Sequence, residues 1–360
     1  MKIEVEQHHL QQLLARVIGA VAKRNTIPIL GNVKLTATDK LQAIATDLDI
    51  EVTASQQADV TTKGSTTVNA TMLSGIVAKL PKGSLISISL DDHYLHVQAG
   101  RSKFKLATLP VDDFPIMATN EYQSRLEFQG MELKNALEKT SWAASSEETR
   151  YYLNGVLLQH SEGRATFTAT DGHRLAHYKD GEAEEFEQVI IPSGTVKQFI
   201  SALDDGEAVL DVSQTKVRLT CGDSIIVSKV IDGTYPDWTR VIPKSNANSI
   251  TLPSGEAKSA IERVSTVATE RTRAVKFTVV SGELTLSVQD AAGGSGAEVL
   301  EVSQSGNDVD MGFNSKYMLE ALTQADKGDV TIHYGGAGDP ALVKYDKEPG
   351  LLAVVMPMRV

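Results

Sequence analysis

Residues 3–21 have the sequence IEVEQHHLQQLLARVIGAV, in which a short alternating segment runs into an amphipathic one. The alternation over residues 3–6 predicts a β-strand, and the apolar residues that follow have the i, i+3, i+4, i+7 spacing of one helix face. The pattern returns at residues 126–144 (LEFQGMELKNALEKTSWAA) and 250–268 (ITLPSGEAKSAIERVSTVA). The three strands begin at residues 3, 126 and 250, which are 123 and 124 residues apart. The chain therefore contains one domain of about 120 residues three times.

Each copy has a second half with its own strand and helix. The anchors of these second halves, Asn69, Pro192 and Asn314, are 123 and 122 residues apart. Asn69, Ser193 and Asn314 stand before the predicted helices. A side-chain oxygen there can accept a hydrogen bond from a free backbone N–H, so we expect these residues to cap the helices. Further strands are predicted after each helix.

The repeats predict an α+β fold of six strand–helix–strands units, two in each domain. Because each helix has a single apolar stripe, we expect it to pack on a sheet with its other face in water. The expected domains are residues 1–119 (N-terminal), 120–245 (middle) and 246–360 (C-terminal).

The composition is that of a folded protein without disulfides or membrane spans. Of its 360 residues, 41% are hydrophobic and 22% are charged. The first six residues alternate like a strand and lack the apolar core of a signal peptide, and no apolar run approaches the ~20 residues of a membrane-spanning helix. The one cysteine, Cys221, excludes an internal disulfide, and we interpret it as a packed thiol. A cytoplasmic location is expected.

The charge distribution is compatible with a nucleic-acid partner, although the net charge is −11. Such a net charge by itself disfavours phosphate binding. Residues 7–38, however, include four basic residues and no acidic one, and residues 60–90 include three basic residues and no acidic one. Acid-free helical segments can present a basic surface to phosphates. Chance unevenness on solvated faces remains the alternative.

Several segments are specific enough to indicate a family. They are TIPILGN at 26–32, LATLP at 106–110 with DFP at 113–115, RYYLNG at 150–155, ATDGHRLA at 169–176, DGTYPD at 232–237 and VVMPMRV at 354–360. In this order, and over the whole chain, they closely resemble the bacterial DNA polymerase III β-subunit family, the DNA sliding clamps.

The resemblance implies a non-catalytic subunit of a DNA polymerase holoenzyme, without cofactor or metal, that forms a head-to-tail homodimeric ring around duplex DNA. Twelve helices would line the hole, with sheets outside. Twelve helices about 10 Å across, set side by side, leave an opening of roughly 28 Å, whereas the six of one subunit leave about 9 Å. A duplex about 18 Å across its grooves passes only through the larger opening.

A ring that slides should contact phosphates weakly and without reading bases, which Lys and Arg on helices can do. The resemblance implies DNA contact at Arg24 and a Tyr151–Tyr152 pair near the DNA. Two departures, Ser193-Gly194 where a basic pair is frequent and Glu147 where a neutral residue is usual, leave open whether the middle domain contacts DNA. The candidate DNA-binding residues are Arg24, Lys79, Lys82, Lys134, Lys139, Tyr151, Tyr152, Lys197, Lys258, Arg263, Arg271 and Arg273.

Closing a ring of identical subunits requires one surface to meet a different one. A strand predicted over residues 100–107 would carry Arg101 and Lys103 on one face and Phe104 on the other. The resemblance implies that this strand forms one side of the subunit interface. The other side would comprise Thr266, Val267, Glu298 and Glu301, with complementary charge setting the orientation.

The family binds short peptides of the polymerase III alpha subunit, the clamp loader, other polymerases and repair proteins in a pocket between the second and third domains. Aliphatic and Met side chains can form an adaptable apolar groove for such peptides. The first repeat's counterpart, residues 46–49, lacks the His-Arg pair, which predicts one pocket per subunit. The matching positions are Leu153, Thr170, Gly172, His173, Arg174, Leu175, Pro236, Arg240, Val241, Tyr317, Val343, Val354, Val355, Met356, Pro357 and Met358.

Other signals indicate less. His173 and His177 are four residues apart, as zinc ligands on a helix are, but no metalloprotease motif surrounds them. Asp47 and Asp49 fit alternating strand residues better than a metal site. The Gly-rich segments at 293–296 and 335–338 lack the lysine of a phosphate loop and are expected to be turns. The alternatives are a hydrolase that uses one of these acidic or Gly-rich loops, and a repeat-built adaptor that binds protein alone.

Overall fold

The computed structural model describes residues 1–22, 26–118, 122–267, 273–289, 293–325 and 327–359. Within these ranges the six predicted helices are confirmed, two in each repeat. They are α1 (Gln7–Val17), α2 (Ala70–Lys79), α3 (Gly130–Ser141), α4 (Ser193–Ala202), α5 (Ser254–Ser265) and α6 (Ser315–Thr323).

The described residues also form three antiparallel sheets. In chain order their strands are β1 (Lys2–Glu6), β2 (Asn32–Ala37), β3 (Leu41–Thr46), β4 (Ile50–Gln56), β5 (Asp59–Thr62), β6 (Gly64–Asn69), β7 (Leu85–Leu90), β8 (Tyr94–Ala99), β9 (Ser102–Leu109), β10 (Ser124–Gln129), β11 (Gly155–Ser161), β12 (Arg164–Thr170), β13 (Arg174–Glu182), β14 (Val189–Pro192), β15 (Glu207–Val212), β16 (Lys216–Cys221), β17 (Ser224–Lys229), β18 (Asn248–Pro253), β19 (Ala274–Val280), β20 (Glu283–Gln289), β21 (Ser295–Glu301), β22 (Ser303–Ser305), β23 (Val309–Asn314), β24 (Asp329–Tyr334), β25 (Ala341–Tyr345) and β26 (Leu351–Val355).

The chain divides into two compact units, and neither coincides with a single repeat. The first unit comprises residues 1–134 and 194–231, and the second comprises residues 135–193 and 232–360. The reason lies in the strand pairing, because each unit contains a sheet that joins two neighbouring repeats edge to edge. The domain boundaries predicted after residues 119 and 245 stay predictions.

The first unit contains a sheet with the strand order β10-β15-β16-β17-β4-β3-β2-β6-β9-β8-β7-β1-β5. Strand β4 of the first repeat pairs with β17 of the second repeat. Helix α1 packs beside α2 and on this sheet, and its predicted apolar stripe is buried. The side-chain amide of Gln7 donates to the carbonyl of Val77 at 2.8 Å, which ties α1 to α2.

The second unit contains two sheets, with the orders β14-β11-β12-β13-β26-β25-β24-β18-β22 and β21-β20-β19-β23. Here β13 of the second repeat pairs with β26 of the third repeat. Helices α5 and α6 pack against each other, and their apolar faces enter one core that includes Ala260, Ile261, Met318 and Leu322. Burying a side chain such as Ile or Leu contributes about 1.5–3 kcal/mol.

Two of the three predicted helix caps are confirmed. Asn69 Oδ1 accepts from the N–H of Met72 at 2.8 Å, and Asn314 Oδ1 accepts from the N–H of Lys316 at 3.0 Å. The prediction for Ser193 is wrong. Ser193 is the first residue of α4, and its hydroxyl instead donates to the carbonyl of Asn154 at 2.8 Å.

Cys221 is a buried free thiol at the end of β16, as predicted. The Gly-rich segment at 335–338 is the predicted turn, here between β24 and β25. None of the helices in the described ranges is long and apolar enough to cross a membrane.

Candidate functional site

A tightly bonded turn connects β12 to β13 in the second unit. Thr170 Oγ1 donates to the carbonyl of Arg174 at 2.6 Å and accepts from the N–H of Gly172 at 3.1 Å. Asp171 Oδ1 accepts from the N–H groups of His173 and Arg174 at 2.8 and 3.0 Å. Gly172 has a φ of 89°, a conformation that glycine adopts without strain. The turn leaves His173 exposed and buries Arg174.

Arg174 is held from several sides. Its Nε lies 3.2 Å from Asp171 Oδ2, and the guanidinium also forms an ion pair with Glu320 of α6. The guanidinium carbon lies 4.6 Å from the centre of the Tyr317 ring and 5.1 Å from the Trp142 ring. A cation over an aromatic face is attracted to it. Arg174 therefore fastens the turn to α6, and its place in a peptide pocket stays a prediction.

An apolar cluster lies beside the turn on one face of the nine-stranded sheet. Leu175 of β13, Leu342 of β25 and Val354 of β26 are buried together, with Trp238 and Ile242 packed on them. The side chains of Leu175, Leu342 and Val354 form the floor of this site, because almost none of their surface reaches solvent.

The predicted pocket residues fall into a buried set and an accessible set. The buried ones are Leu153, Thr170, Arg174, Leu175, Val343, Val354 and Val355. The exposed ones are Gly172, His173, Pro236, Arg240, Val241, Met356 and Met358, while Tyr317 and Pro357 are half-buried.

The C-terminal segment is tied down beside the turn. The N–H of Met356 donates to the carbonyl of His173, and the N–H of Met358 donates to that of Gly312, both at 2.8 Å. The rings of His173 and Tyr317 are stacked, with centroids 6.3 Å apart. The exposed Met356 is thus bonded directly to a residue of an aromatic pair, and a Met side chain there gives an adaptable apolar surface.

Trp238 belongs to this site, although sequence reasoning missed it. Its ring stacks on that of His177, with centroids 4.3 Å apart, and its Nε1 donates to Gln159 Oε1 at 3.2 Å. Burial lowers the pKa of His177 to about 4. His177 also lies 2.9 Å from the hydroxyl of Thr168 on the neighbouring strand. The available signal was an aromatic residue directly after the family-like segment at 232–237.

His173 and His177, four residues apart in sequence, do not lie on one helix. His173 lies in the turn and His177 in β13, so the two side chains do not share a helix face.

Strand β9 leaves one edge open in the first unit. It pairs with β8 along Ser102–Ala107 but with β6 only at Thr108 and Leu109. Over residues 102–107, the described part of the chain therefore supplies a strand on one side only. Lys103 is exposed and Phe104 half-buried. The predicted strand start at residue 100 is wrong: Gly100 has a φ of 57° and forms a turn with Arg101 before the strand begins.

Strand β21 is an edge strand in the second unit. Among the described residues it pairs only with β20, and it carries the exposed side chains of Val299 and Glu301. Glu298 is already engaged, since Arg263 Nε donates to its Oε2 at 2.9 Å. At the end of α5, exposed Thr266 precedes Val267, whose methyl would lie 3.3 Å from a Cβ at Gly296 of β21.

Comparison with known proteins identifies the family. Models of the N-terminal, central and C-terminal domains of the DNA polymerase III beta subunit match residues 1–118, 127–237 and 239–359. The chain belongs to the beta sliding clamp family. The beta sliding clamp of Caulobacter vibrioides is 39% identical over 372 residues, and that of Escherichia coli (strain K12) is 32% identical over 367 residues; each comparison covers 100% of both chains.

Comparison with a solved structure identifies the same family. The sliding clamp of Bartonella birtlesii, bound to griselimycin, superposes with a TM-score of 0.95 at 37% identity and covers 100% of both chains. The predicted family and fold class are confirmed. Beta sliding clamps are non-catalytic processivity factors of a DNA polymerase, which agrees with the prediction that the chain is not an enzyme.

Most candidate DNA-binding residues of this clamp are accessible. Lys139 is the exception: it is only 5% exposed, and its ammonium donates to the carbonyl of Gln324, so the prediction of DNA contact there is wrong. Arg24 and Arg271 lie outside the described residues. Arg263 forms an ion pair with Glu298. Lys79, Lys82, Tyr151, Lys197 and Arg273 are exposed, and Lys134, Tyr152 and Lys258 are half-buried.

The unusual Glu147 of this clamp is paired locally. Arg150 Nε donates to Glu147 Oε2 at 2.9 Å, and this hydrogen bond lowers the pKa of the carboxyl. Tyr151 and Tyr152 follow at once, edge to face with centroids 5.8 Å apart. Because Arg150 offsets the negative charge, Glu147 opposes a nearby phosphate less than its charge alone suggests.

Proposed function

We propose that two copies of this chain close into a head-to-tail ring around duplex DNA and tether the replicative polymerase through a peptide pocket. The observation that carries this proposal is the match to beta sliding clamps, which runs through three domain models in order and covers the whole chain. In this ring, twelve helices face the DNA and the sheets lie outside. The location is the cytoplasm.

The two open strand edges support the ring. An open edge presents unpaired backbone N–H and C=O groups, which a second strand can satisfy. β9 carries Lys103, with Arg101 in the preceding turn, whereas β21 carries Glu301. Pairing β9 of one subunit with β21 of the next is a heterologous contact, and opposite charges fix its direction. Phe104 and Val299 add apolar surface, with Thr266 and Val267 beside them.

Exposed lysines on the helices supply a sequence-independent attraction to phosphates. Lys79 lies in the last turn of α2, Lys82 just beyond it, and Lys197 in α4. Such contacts weaken as salt increases, because bound counterions are released when lysines neutralise phosphates. The remaining candidate contacts are Arg24, Lys134, Tyr151, Tyr152, Lys258, Arg271 and Arg273, while Arg263 must first leave Glu298.

The pocket takes a short peptide with an apolar anchor. Met356, Met358 and Val241 offer exposed apolar surface, and the His173–Tyr317 stack offers an aromatic edge. The partners are the polymerase III alpha subunit, the clamp loader, other polymerases and repair proteins. Deleting residues 356–360 should abolish binding of a polymerase-derived peptide in fluorescence polarisation and leave the ring mass unchanged.

The decisive experiment tests topological retention on DNA. The protein, loaded with a bacterial clamp loader and ATP, should remain on nicked circular plasmid in 0.5 M NaCl and leave once the circle is cut. A linear plasmid with both ends blocked is the matched control and should retain the protein. Equal retention on open-ended linear DNA, or none on circles, would refute the ring. The absence of retention on any of these DNAs would favour an adaptor that binds protein alone, and turnover without a polymerase would favour a hydrolase.

A further inference from the structure

The first unit contains a second copy of the turn described above. Thr46 Oγ1 donates to the carbonyl of Ile50 at 2.8 Å and accepts from the N–H of Leu48 at 3.1 Å. Asp47 Oδ1 accepts from the N–H groups of Asp49 and Ile50 at 3.0 and 2.9 Å. These are the four bonds of the turn at residues 170–174, atom for atom. The two turns share one framework although only their Thr-Asp pair is common in sequence.

The neighbourhood of the turn is repeated too. The N–H of Lys229 donates to the carbonyl of Asp49 at 2.9 Å, as the N–H of Met356 does to His173. Strand β4 therefore corresponds to β13, β17 corresponds to β26, and Lys229 occupies the place of Met356.

Leu48 occupies the position of Gly172 at a conformational cost. Its φ is 81°, close to the 89° of Gly172. A side chain in this region is strained, and such strain persists where the surrounding structure holds it, often at functional sites. The Leu48 side chain is 41% exposed, so its burial does not offset the strain.

Leu48 lines a groove of about 300 Å³, within the range of small-ligand pockets. The other lining residues are Thr46, the segment 115–117 (Pro-Ile-Met), Lys216 and Lys229, so both charged lining residues are lysines. One wall is held by the N–H of Met117, which donates to Glu51 at 2.8 Å. We call this site the lysine-flanked groove.

We propose that the lysine-flanked groove is a second docking site on each subunit, for a short peptide with an apolar side chain between carboxylates. The apolar side chain packs on Leu48, and the carboxylates meet the two ammonium groups. Lys229 now pairs with Asp49 at 2.9 Å, and Lys216 donates to the carbonyl of Ala118 at 2.7 Å. Both partners are solvent-exposed contacts that a peptide carboxylate can displace. This proposal departs from the prediction of one pocket per subunit.

The test uses a fluorescein-labelled octapeptide with a Leu-Phe pair between two Glu pairs, and the full chain lacking residues 356–360. This deletion silences the pocket of the second unit. Polarisation should rise with protein concentration, and the same peptide with Gln for Glu should bind at least tenfold more weakly. Lys216→Glu with Lys229→Glu should abolish the preference for the Glu peptide over the Gln peptide. Lys40→Glu with Lys63→Glu, which also removes lysines paired with aspartates in this unit, should leave it unchanged.

The Leu48→Gly variant distinguishes an effect on peptide binding from an effect on stability. It should raise the melting temperature, because glycine relieves the strain, and lower peptide affinity, because the apolar contact is lost. Three results would overturn the proposal. They are equal binding of the Glu and Gln peptides, unchanged affinity in the Lys216→Glu, Lys229→Glu variant, and binding of a labelled dT oligonucleotide at this site in place of the peptide. The assay requires neither DNA nor ring closure, so its failure would leave the proposed ring untouched.

Discussion

Replacing Arg174 by methionine removes a buried charge and leaves two acidic groups facing each other. Arg174 and Asp171 have side chains that are only 9% and 14% exposed, and Glu320 is 32% exposed. Breaking a buried ion pair by removing one partner costs about 3–5 kcal/mol. Asp171 keeps its two backbone donors and Glu320 reaches water, so we expect the lower end, about 3 kcal/mol. For a unit of this size that corresponds to a loss of roughly 6–12 °C in melting temperature.

The chain provides a matched control in the same unit. Arg240 pairs with Asp237 at 2.8 Å, also three residues apart, but the side chains are 83% and 52% exposed. Exposed pairs contribute about 0–1 kcal/mol, so Arg240→Met should change the melting temperature by less than about 4 °C. Both residues are predicted pocket positions, so Arg240→Met should affect peptide binding without affecting the fold.

Calorimetry on the two variants tests the reasoning, and a third variant tests its cause. If the loss comes from uncompensated carboxylates, adding Glu320→Gln to Arg174→Met should recover a large part of it. Equal melting temperatures for Arg174→Met and Arg240→Met would show that burial does not govern these pairs. No recovery in the double variant would assign the loss to the contacts with Tyr317 and Trp142 instead.

Three further predictions concern pH, an interior lysine and the subunit interface. His177 is buried with its pKa lowered to about 4, so the unfolded chain binds more protons between pH 6.5 and 4 and stability falls as pH drops through that window. We expect a loss of about 2 kcal/mol between pH 7 and 5 in urea unfolding, and a flatter profile for His177→Gln. Lys139→Ala should lower the melting temperature and leave DNA retention unchanged, whereas Lys79→Ala should weaken retention at low salt and leave the melting temperature unchanged; the opposite assignment would contradict the burial of Lys139. Thr266→Asp with Val267→Asp should give a single 38.8 kDa chain in sedimentation, and an undiminished mass would exclude this end of α5 from the interface.

Periodicity was sufficient to predict the helices, because burial of one stripe depends on residue type and spacing alone. The stripe of α1 and the caps at Asn69 and Asn314 follow from local rules. The burial of Lys139 could not be predicted in this way. Its ammonium donates to the carbonyl of Gln324, which is 185 residues away and does not affect the local sequence pattern.

The repeat predicts that residues 46–49 are the counterpart of the turn after β12, but the sequence does not show that the two turns share the same hydrogen bonds. Residues 46–50 and 170–174 share only Thr and Asp, and the side-chain oxygen of one of these two residues takes part in each of the four bonds. At the third position the residue types differ, Leu48 in one turn and Gly172 in the other. Their similar φ angles therefore could not be predicted from the residue types. Trp238 and Leu342 were missed for a related reason, because their cluster forms only when distant strands pair.

The pairing of β4 with β17 has a consequence for cutting this chain into pieces. A fragment that ends at residue 119 would retain the first repeat but expose the edge of β4 from Ile50 to Ala54, which β17 covers in the intact chain. Uncovered strand edges recruit other strands, so such a fragment should self-associate. A piece that also carried residues 194–231 would keep that edge closed. The repeat visible in the sequence is therefore shorter than a compact unit, which comprises one whole repeat and part of the neighbouring one.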